Sequence, residues 1–246
     1  MTISNPINAL LLDIEGTTTP IDFVYKVLFP YARAHVGDYL ANNPASTNVK
    51  EDIAALVELN KEDVRCGLEP PRVDGSVEDI SLNRVVAYLH WLMDRDSKAT
   101  PLKSIQGRIW EAGYKSGDLM SQVFEDVPRA FERWKQQRRS IYIYSSGSVL
   151  AQKLLFSATQ FGDLTQHIAD YFDTNIGPKR NSESYGRISQ AIAVPAPSIL
   201  FVSDVNDELD AARPAGLETR LCIRPGNHPQ PTTSNHKAIR SFEEIT

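Results

Sequence analysis

The chain has little of what usually announces a function. Its two cysteines, Cys66 and Cys222, lie far apart with no Cys-x-x-Cys or Cys/His spacing, so neither a disulfide framework nor a zinc site is indicated. The five histidines, His35, His90, His167, His228 and His236, are scattered without paired spacing and read as surface or core residues. There is no dense Lys/Arg tract and the formal net charge is −5, which argues against nucleic acid or an anionic membrane as the main partner. No apolar run approaches a membrane span, and Met1–Pro6 carries neither a basic stretch nor a long apolar one, so a cytoplasmic, soluble protein is expected. The glycine-rich phosphate motifs Gly-x-x-x-x-Gly-Lys-Ser/Thr and Gly-x-Gly-x-x-Gly are missing, as are internal repeats.

What is present starts at Asp13-Ile14-Glu15-Gly16-Thr17-Thr18-Thr19. The unbroken apolar run Ala9-Leu10-Leu11-Leu12 has the length and character of a buried parallel strand, and it delivers Asp13 at its carboxyl end, where open α/β sheets bind ligands. Asp13 and Glu15 sit two apart, so in extended chain their carboxylates point the same way, and Gly16 lets the chain turn. Two further strand-like runs end on polar groups: Ser140–Tyr144 on Ser145-Ser146-Gly147-Ser148, and Ile199–Val202 on Ser203-Asp204. Arg220–Ile223 reads as a last strand.

Between the first and second of these strands the patterns are helical. A short helix is expected near Pro20–Tyr31, others at Asp52–Leu59, along the Ile80, Val85, Val86, Leu89, Leu92 and Met93 face, and at Lys103–Tyr114, ending at Gly113 or Gly117. A strandless block placed just after a strand-end motif reads as an inserted cap. The fold class is therefore α/β, a doubly wound parallel sheet with a helical cap; the core takes residues 1–20 and 126–246 and the cap residues 21–125. The tail from His228 looks loose until Ile239.

In such a sheet the strand ends share one edge, so distant residues converge. Asp13 and Asp204 together suit one Mg²⁺, with a phosphate oxygen and waters completing its shell. Lys179 would add a fixed positive charge, which phosphoryl transfer needs because negative charge spreads over the transferring oxygens. Asp13 then qualifies as a nucleophile on phosphorus, and Glu15 as acid for the leaving oxygen and base for the hydrolytic water. Each residue also has an ordinary reading: a polar turn at Asp13, a helix cap at Ser145-Ser146-Gly147, a solvated loop charge at Lys179, a cap at Asp204.

The order of the pieces, Asp13-Ile14-Glu15-Gly16-Thr17-Thr18, Ser145-Ser146-Gly147, Lys179 and Ser203-Asp204, resembles the four-motif pattern of the haloacid dehalogenase superfamily. Glu15, where most of its phosphatases carry a second Asp, narrows the match. With Trp110–Tyr114, Pro178–Tyr185 and Arg224-Pro225-Gly226-Asn227, the chain resembles the enolase-phosphatases of methionine salvage. That resemblance implies enolisation and then dephosphorylation of 2,3-diketo-5-methylthiopentyl-1-phosphate. It assigns Asp13, Glu15 and Asp204 to Mg²⁺, Glu15 through side chain or backbone carbonyl, and Ser145, Ser146 and Lys179 to the phosphorylated small-molecule substrate. It also implies a cap that closes over the methylthio end. Tyr25, Phe29 and Trp110 are candidate lining residues, with cap-core packing as their ordinary role. A monomer is expected. The rival readings are a phosphatase for another small phosphomonoester, a metal-free enzyme whose Asp13 attacks carbon, and a non-catalytic protein that binds phosphorylated metabolites.

Overall fold

A computed structural model describes residues 6–75, 80–229 and 234–246. The leader-free reading of Met1–Asn5 and the Pro231 part of the loose tail fall outside them. The chain divides into two compact units. One runs up to Lys26 and again from Leu119 to Thr246; the other is Val27–Asp118. The sheet unit thus extends past the expected boundary at residue 20 and takes in the short helix α1 (Ile21–Phe23), whose Phe23 is buried. It also begins at Leu119, ahead of residue 126, since Leu119, Ser121 and Val123 are buried.

The sheet unit is a six-stranded parallel sheet in the order β3-β2-β1-β4-β5-β6. Its strands are β1 (Ala9–Leu12), β2 (Ser140–Tyr144), β3 (Ile168–Phe172), β4 (Ile199–Ser203), β5 (Glu218–Cys222) and β6 (Lys237–Ile239). All four residues of β1 and all five of β4 are buried, as strands covered on both faces must be. Four strands were expected from sequence, and β3 and β6 are additions. β3 is an edge strand whose Ala169 and Asp170 are exposed, so its run lacks the continuous apolar character of β1. β6 has three residues, two of them exposed. The chain winds outward through β2 and β3, then crosses back to β4 beside β1. The strand order therefore switches at β1, which is where doubly wound sheets open a ligand crevice.

The helical unit holds the latter part of a π-helical turn, Val24–Leu28, then α2 (Phe29–Asn42), α3 (Thr47–Arg65), α4 (Leu82–Asp94) and α5 (Thr100–Ser116). No strand occurs among its described residues. α3 runs well beyond the expected Asp52–Leu59 because its outer turns are polar, with Val49, Ile53, Leu56 and Val57 supplying the buried stripe. α5 packs on α2 and α3 through Leu102, Ile105, Ile109 and Trp110, and Gly117 ends it in the left-handed conformation at φ 83°. Trp110 is a core residue: its indole N–H donates to the Leu28 carbonyl at 2.8 Å. Tyr25 is exposed and Phe29 half-buried.

The remaining helices belong to the sheet unit: α6 (Asp126–Gln136), α7 (Val149–Ser157), α8 (Ser182–Ala191) and α9 (Asn206–Ala212). α6 opens on a buried ion pair. Asp126 Oδ2 accepts from Arg224 Nη1 at 2.9 Å, from Ser241 Oγ at 2.9 Å and from the Phe242 amide at 2.6 Å. The segment after β6 is thereby pinned. Burial alone would raise the Asp126 pKa, but these donors outweigh it and hold the carboxyl below its ordinary value. Its contribution to stability is therefore complete above about pH 4 and fades as pH falls through the lowered folded value. Asp126→Asn should cost about 3 kcal/mol at pH 7, because it strands the Arg224 charge. Urea unfolding of both proteins at pH 7 and at low pH should show that gap narrowing in acid.

Candidate active site

Four chain segments deliver polar groups to the carboxyl ends of β1, β2 and β4. Leu12 is in register with Ile143 on one side and Val202 on the other, so Asp13 follows β1 at the centre of the row. The turn after Asp13 is closed by its own backbone: the amides of Thr17, Thr18 and Thr19 donate to the Ile14 carbonyl, and the Gly16 amide donates to the Thr19 carbonyl at 2.8 Å. The Thr18 hydroxyl adds a bond to the Asp13 carbonyl at 3.1 Å. Gly16 sits at φ 70°, and a Cβ there would lie 2.4 Å from Asp204 Oδ2 and 2.9 Å from Asn227 Oδ1. Only a glycine permits this approach, which presses the turn carrying Glu15 against the Asp204 carboxylate.

Lys179 is brought in by the loop before α8. The Gly177 carbonyl accepts from the Tyr144 hydroxyl at 2.8 Å, the Pro178 carbonyl from Ser184 Oγ at 2.8 Å, and the Lys179 carbonyl from the Tyr185 hydroxyl at 2.6 Å. Three successive carbonyls of the loop are thus held by buried side chains from β2 and α8. The Lys179 side chain is 9% exposed, and its ammonium donates to Asp13 Oδ1 at 2.5 Å and to Glu208 Oε2 at 2.7 Å. Ser203 Oγ stands 3.2 Å from Asp13 Oδ2 and 2.9 Å from Glu208 Oε2. Asp13, Lys179, Ser203 and Glu208 are one hydrogen-bonded cluster, and the charges of Asp13, Glu208, Lys179 and Glu15 all act on Asp204.

At the end of β2 the helix cap is Ser148, whose hydroxyl accepts from the Ala151 amide at 3.3 Å. Ser145 and Ser146 are therefore not needed as caps for α7. Ser145 is buried, its hydroxyl accepting from the Gly147 amide at 3.1 Å, and Ser146 is half-buried. Both lie on the strand end adjacent to Asp13, and Glu15 is half-buried on the turn after β1. Glu208 and Ser203 were not singled out in the sequence as site residues. Glu208 lies in the first turn of α9 and joins the cluster through Ser203 and Lys179.

The electrostatics of this cluster bear on the cation. Asp13, Asp204 and Glu208 are buried carboxylates around a single buried ammonium. Burial, then repulsion from Asp13, pushes the Asp204 carboxyl well above its ordinary value, and the same two causes raise Glu208. Burial alone would lower the Lys179 pKa, but the attraction of Asp13 and Glu208 outweighs it and raises the value. The negative charge of these carboxylates exceeds what Lys179 neutralises. Among the described residues no three His, Cys, Asp or Glu side chains group closely enough to enclose a metal by themselves. A donor set of two carboxylates, completed by backbone carbonyl, water and phosphate oxygen, fits Mg²⁺, which keeps several waters, and does not fit zinc.

No protein-family model matches the chain. The chain is similar to an enolase-phosphatase E1 of Synechococcus elongatus, with 47% identity over 239 residues, covering 97% of this chain and 98% of that protein. Among solved structures it resembles the UTR4 protein of Saccharomyces cerevisiae, with TM-score 0.78, 33% identity, and coverage of 96% and 99% of the two chains. The fold, at 17% identity and TM-score 0.55, is also that of the HAD-hydrolase YfnB of Bacillus subtilis, solved bound to magnesium, covering 98% of this chain and 97% of that one.

Gly16→Ala tests how tightly the Glu15 turn meets Asp204. The added methyl group collides with that carboxylate at a positive φ, so the variant should lose at least about 1 kcal/mol of stability. A urea titration checks it; an unchanged midpoint would mean the turn is free to move away.

Proposed function

The chain belongs to the enolase-phosphatase E1 family, within the haloacid dehalogenase superfamily, and from that footing we propose how its residues carry out the reaction. It is a phosphoric monoester hydrolase of methionine salvage. Its substrate in this proposal is 2,3-diketo-5-methylthiopentyl-1-phosphate, which is enolised and then dephosphorylated to the acireductone. The observation that carries the reading is the meeting of Asp13, Lys179 and Asp204 at the β1/β4 switch point, with a surplus of buried negative charge.

Asp13 and Asp204 would hold Mg²⁺ by carboxylate, and Glu15 through its backbone carbonyl; the bound ion supplies positive charge to the phosphoryl oxygens. Ser145 and Ser146, at the neighbouring strand end, donate hydroxyl hydrogen bonds to the phosphate. Lys179 orients the Asp13 carboxylate and presents its charge where the transferring group arrives. An Asp13 oxygen bonds to phosphorus as the bond from phosphorus to the substrate oxygen breaks, and that oxygen takes a proton from Glu15. Water then attacks the aspartyl-phosphate and gives its proton to Glu15, releasing phosphate and restoring Asp13. Proton transfer at carbon precedes these steps. We place the protein in the cytoplasm as a monomer; no helix among its described residues is long and apolar enough to cross a membrane.

Incubation with the diketo phosphate and Mg²⁺, following phosphate and the ultraviolet absorbance of the enediol together, tests the reading. Both products should appear. Phosphate without enediol would reduce the protein to a phosphatase. Chelation should abolish turnover and added Mg²⁺ restore it, whereas activity that survives chelation would point to attack on carbon. Asp13→Asn should lower turnover by at least roughly 10³-fold while circular dichroism stays native.

A further inference from the structure

The loop after β5, Arg224-Pro225-Gly226-Asn227, has no part in the chemistry described above, yet two of its side chains reach the catalytic turn. Asn227 Nδ2 donates to the Gly16 carbonyl at 2.9 Å and to the Cys222 carbonyl at 3.3 Å. Arg224 Nε donates to the Thr17 carbonyl at 3.2 Å. Two consecutive carbonyls of the turn that follows Glu15 are thus gripped from the end of β5, two strands away from β1.

An arginine beside a phosphoryl site would ordinarily be taken for a phosphate ligand. Arg224 is instead engaged by groups of the protein itself. It is 6% exposed, its Nη1 is occupied by Asp126 at 2.9 Å and by the Arg240 carbonyl at 3.0 Å, and its guanidinium lies between the Phe124 and Phe242 rings, 4.5 and 4.8 Å from their centroids. Its Nη1 is engaged by Asp126 and the Arg240 carbonyl and its Nε by the turn, while Nη2, buried, has no hydrogen-bond partner among the described residues. Asn227 is fixed just as narrowly: flipping its amide would set an oxygen against two carbonyl oxygens, so both Nδ2 hydrogens face backbone.

We propose that Arg224 and Asn227 are positioning residues for phosphoryl transfer, a clamp that holds the Gly16-Thr17 peptide and thereby sets where Glu15 stands relative to Asp13 and Asp204. The inference rests on the functional reading above, which makes Glu15 the proton carrier. The clamp works through geometry alone, since it places neither acid nor base on the substrate. Displacement of a catalytic group by about 1 Å from a remote site costs roughly 10²-fold in rate.

Two variants separate this role from simple support of the fold. Arg224→Lys keeps a cation against Asp126 but has no second nitrogen for Thr17; Asn227→Asp keeps the shape and removes both donors. Each is assayed by steady-state kinetics with Mg²⁺ on the diketo phosphate and on phenyl phosphate, alongside urea unfolding. The clamp predicts a fall in kcat of roughly 10²-fold, KM within about threefold, competitive inhibition by inorganic phosphate unchanged, and at least one of the variants fully folded at the assay temperature. Unchanged kcat in a folded variant overturns the inference, as does a rise in KM with kcat intact, which would make these residues substrate ligands. If the native protein hydrolyses phenyl phosphate but not the diketo phosphate, the substrate assignment has failed, and the clamp is still judged by the variants on phenyl phosphate.

Discussion

The organising constraint in this protein is a charge imbalance that the sheet forces on itself. β1 and β4 run side by side and end together, so Asp13 and Asp204 are delivered to one place whether or not their charges agree. α9 adds Glu208, and a loop from the far side of β2 adds Lys179. One ammonium cannot neutralise three buried carboxylates, and the excess appears as carboxyl groups displaced above their usual range. Such a cluster is costly to build without a cation and suited to receive one together with an anionic phosphoryl group.

Holding these charges in place falls to backbone carbonyls and buried side chains more than to ion pairs at the surface. The Lys179 loop is held by Tyr144, Ser184 and Tyr185, and the turn after Asp13 by its own amides and by Arg224 and Asn227. The exposed pair Arg180–Asp207, 3.5 Å apart, illustrates the contrast: both side chains are largely in water, where such a pair contributes little.

The sequence revealed most where burial was greatest. β1, β2 and β4 end their apolar runs directly on the polar groups of interest, so Asp13, Ser145 and Asp204 could be placed at strand ends from pattern alone, and the structure brings Asp13, Lys179 and Asp204 into one charged cluster. β3 escaped notice because an edge strand need not be apolar on its open side, and Asp170 broke the pattern. α3 came out too short because its flanking turns are polar. In sequence Glu208 is one more acid beside Asp207 at the start of a helix; the arrival of Lys179, 29 residues earlier in sequence, distinguishes it. The Arg224 and Asn227 contacts to the Asp13 turn span more than 200 residues and leave no local trace.

The proposed reaction centres on a covalent bond between Asp13 and phosphorus, and the direct test is to catch it. A single turnover of the diketo phosphate with Mg²⁺, quenched in acid within milliseconds and digested, should yield the peptide containing Asp13 carrying a phosphoryl group that later time points lose. If phosphate is released at the full rate while that peptide never gains the group at any quench time, Asp13 is not the nucleophile and the covalent mechanism is wrong.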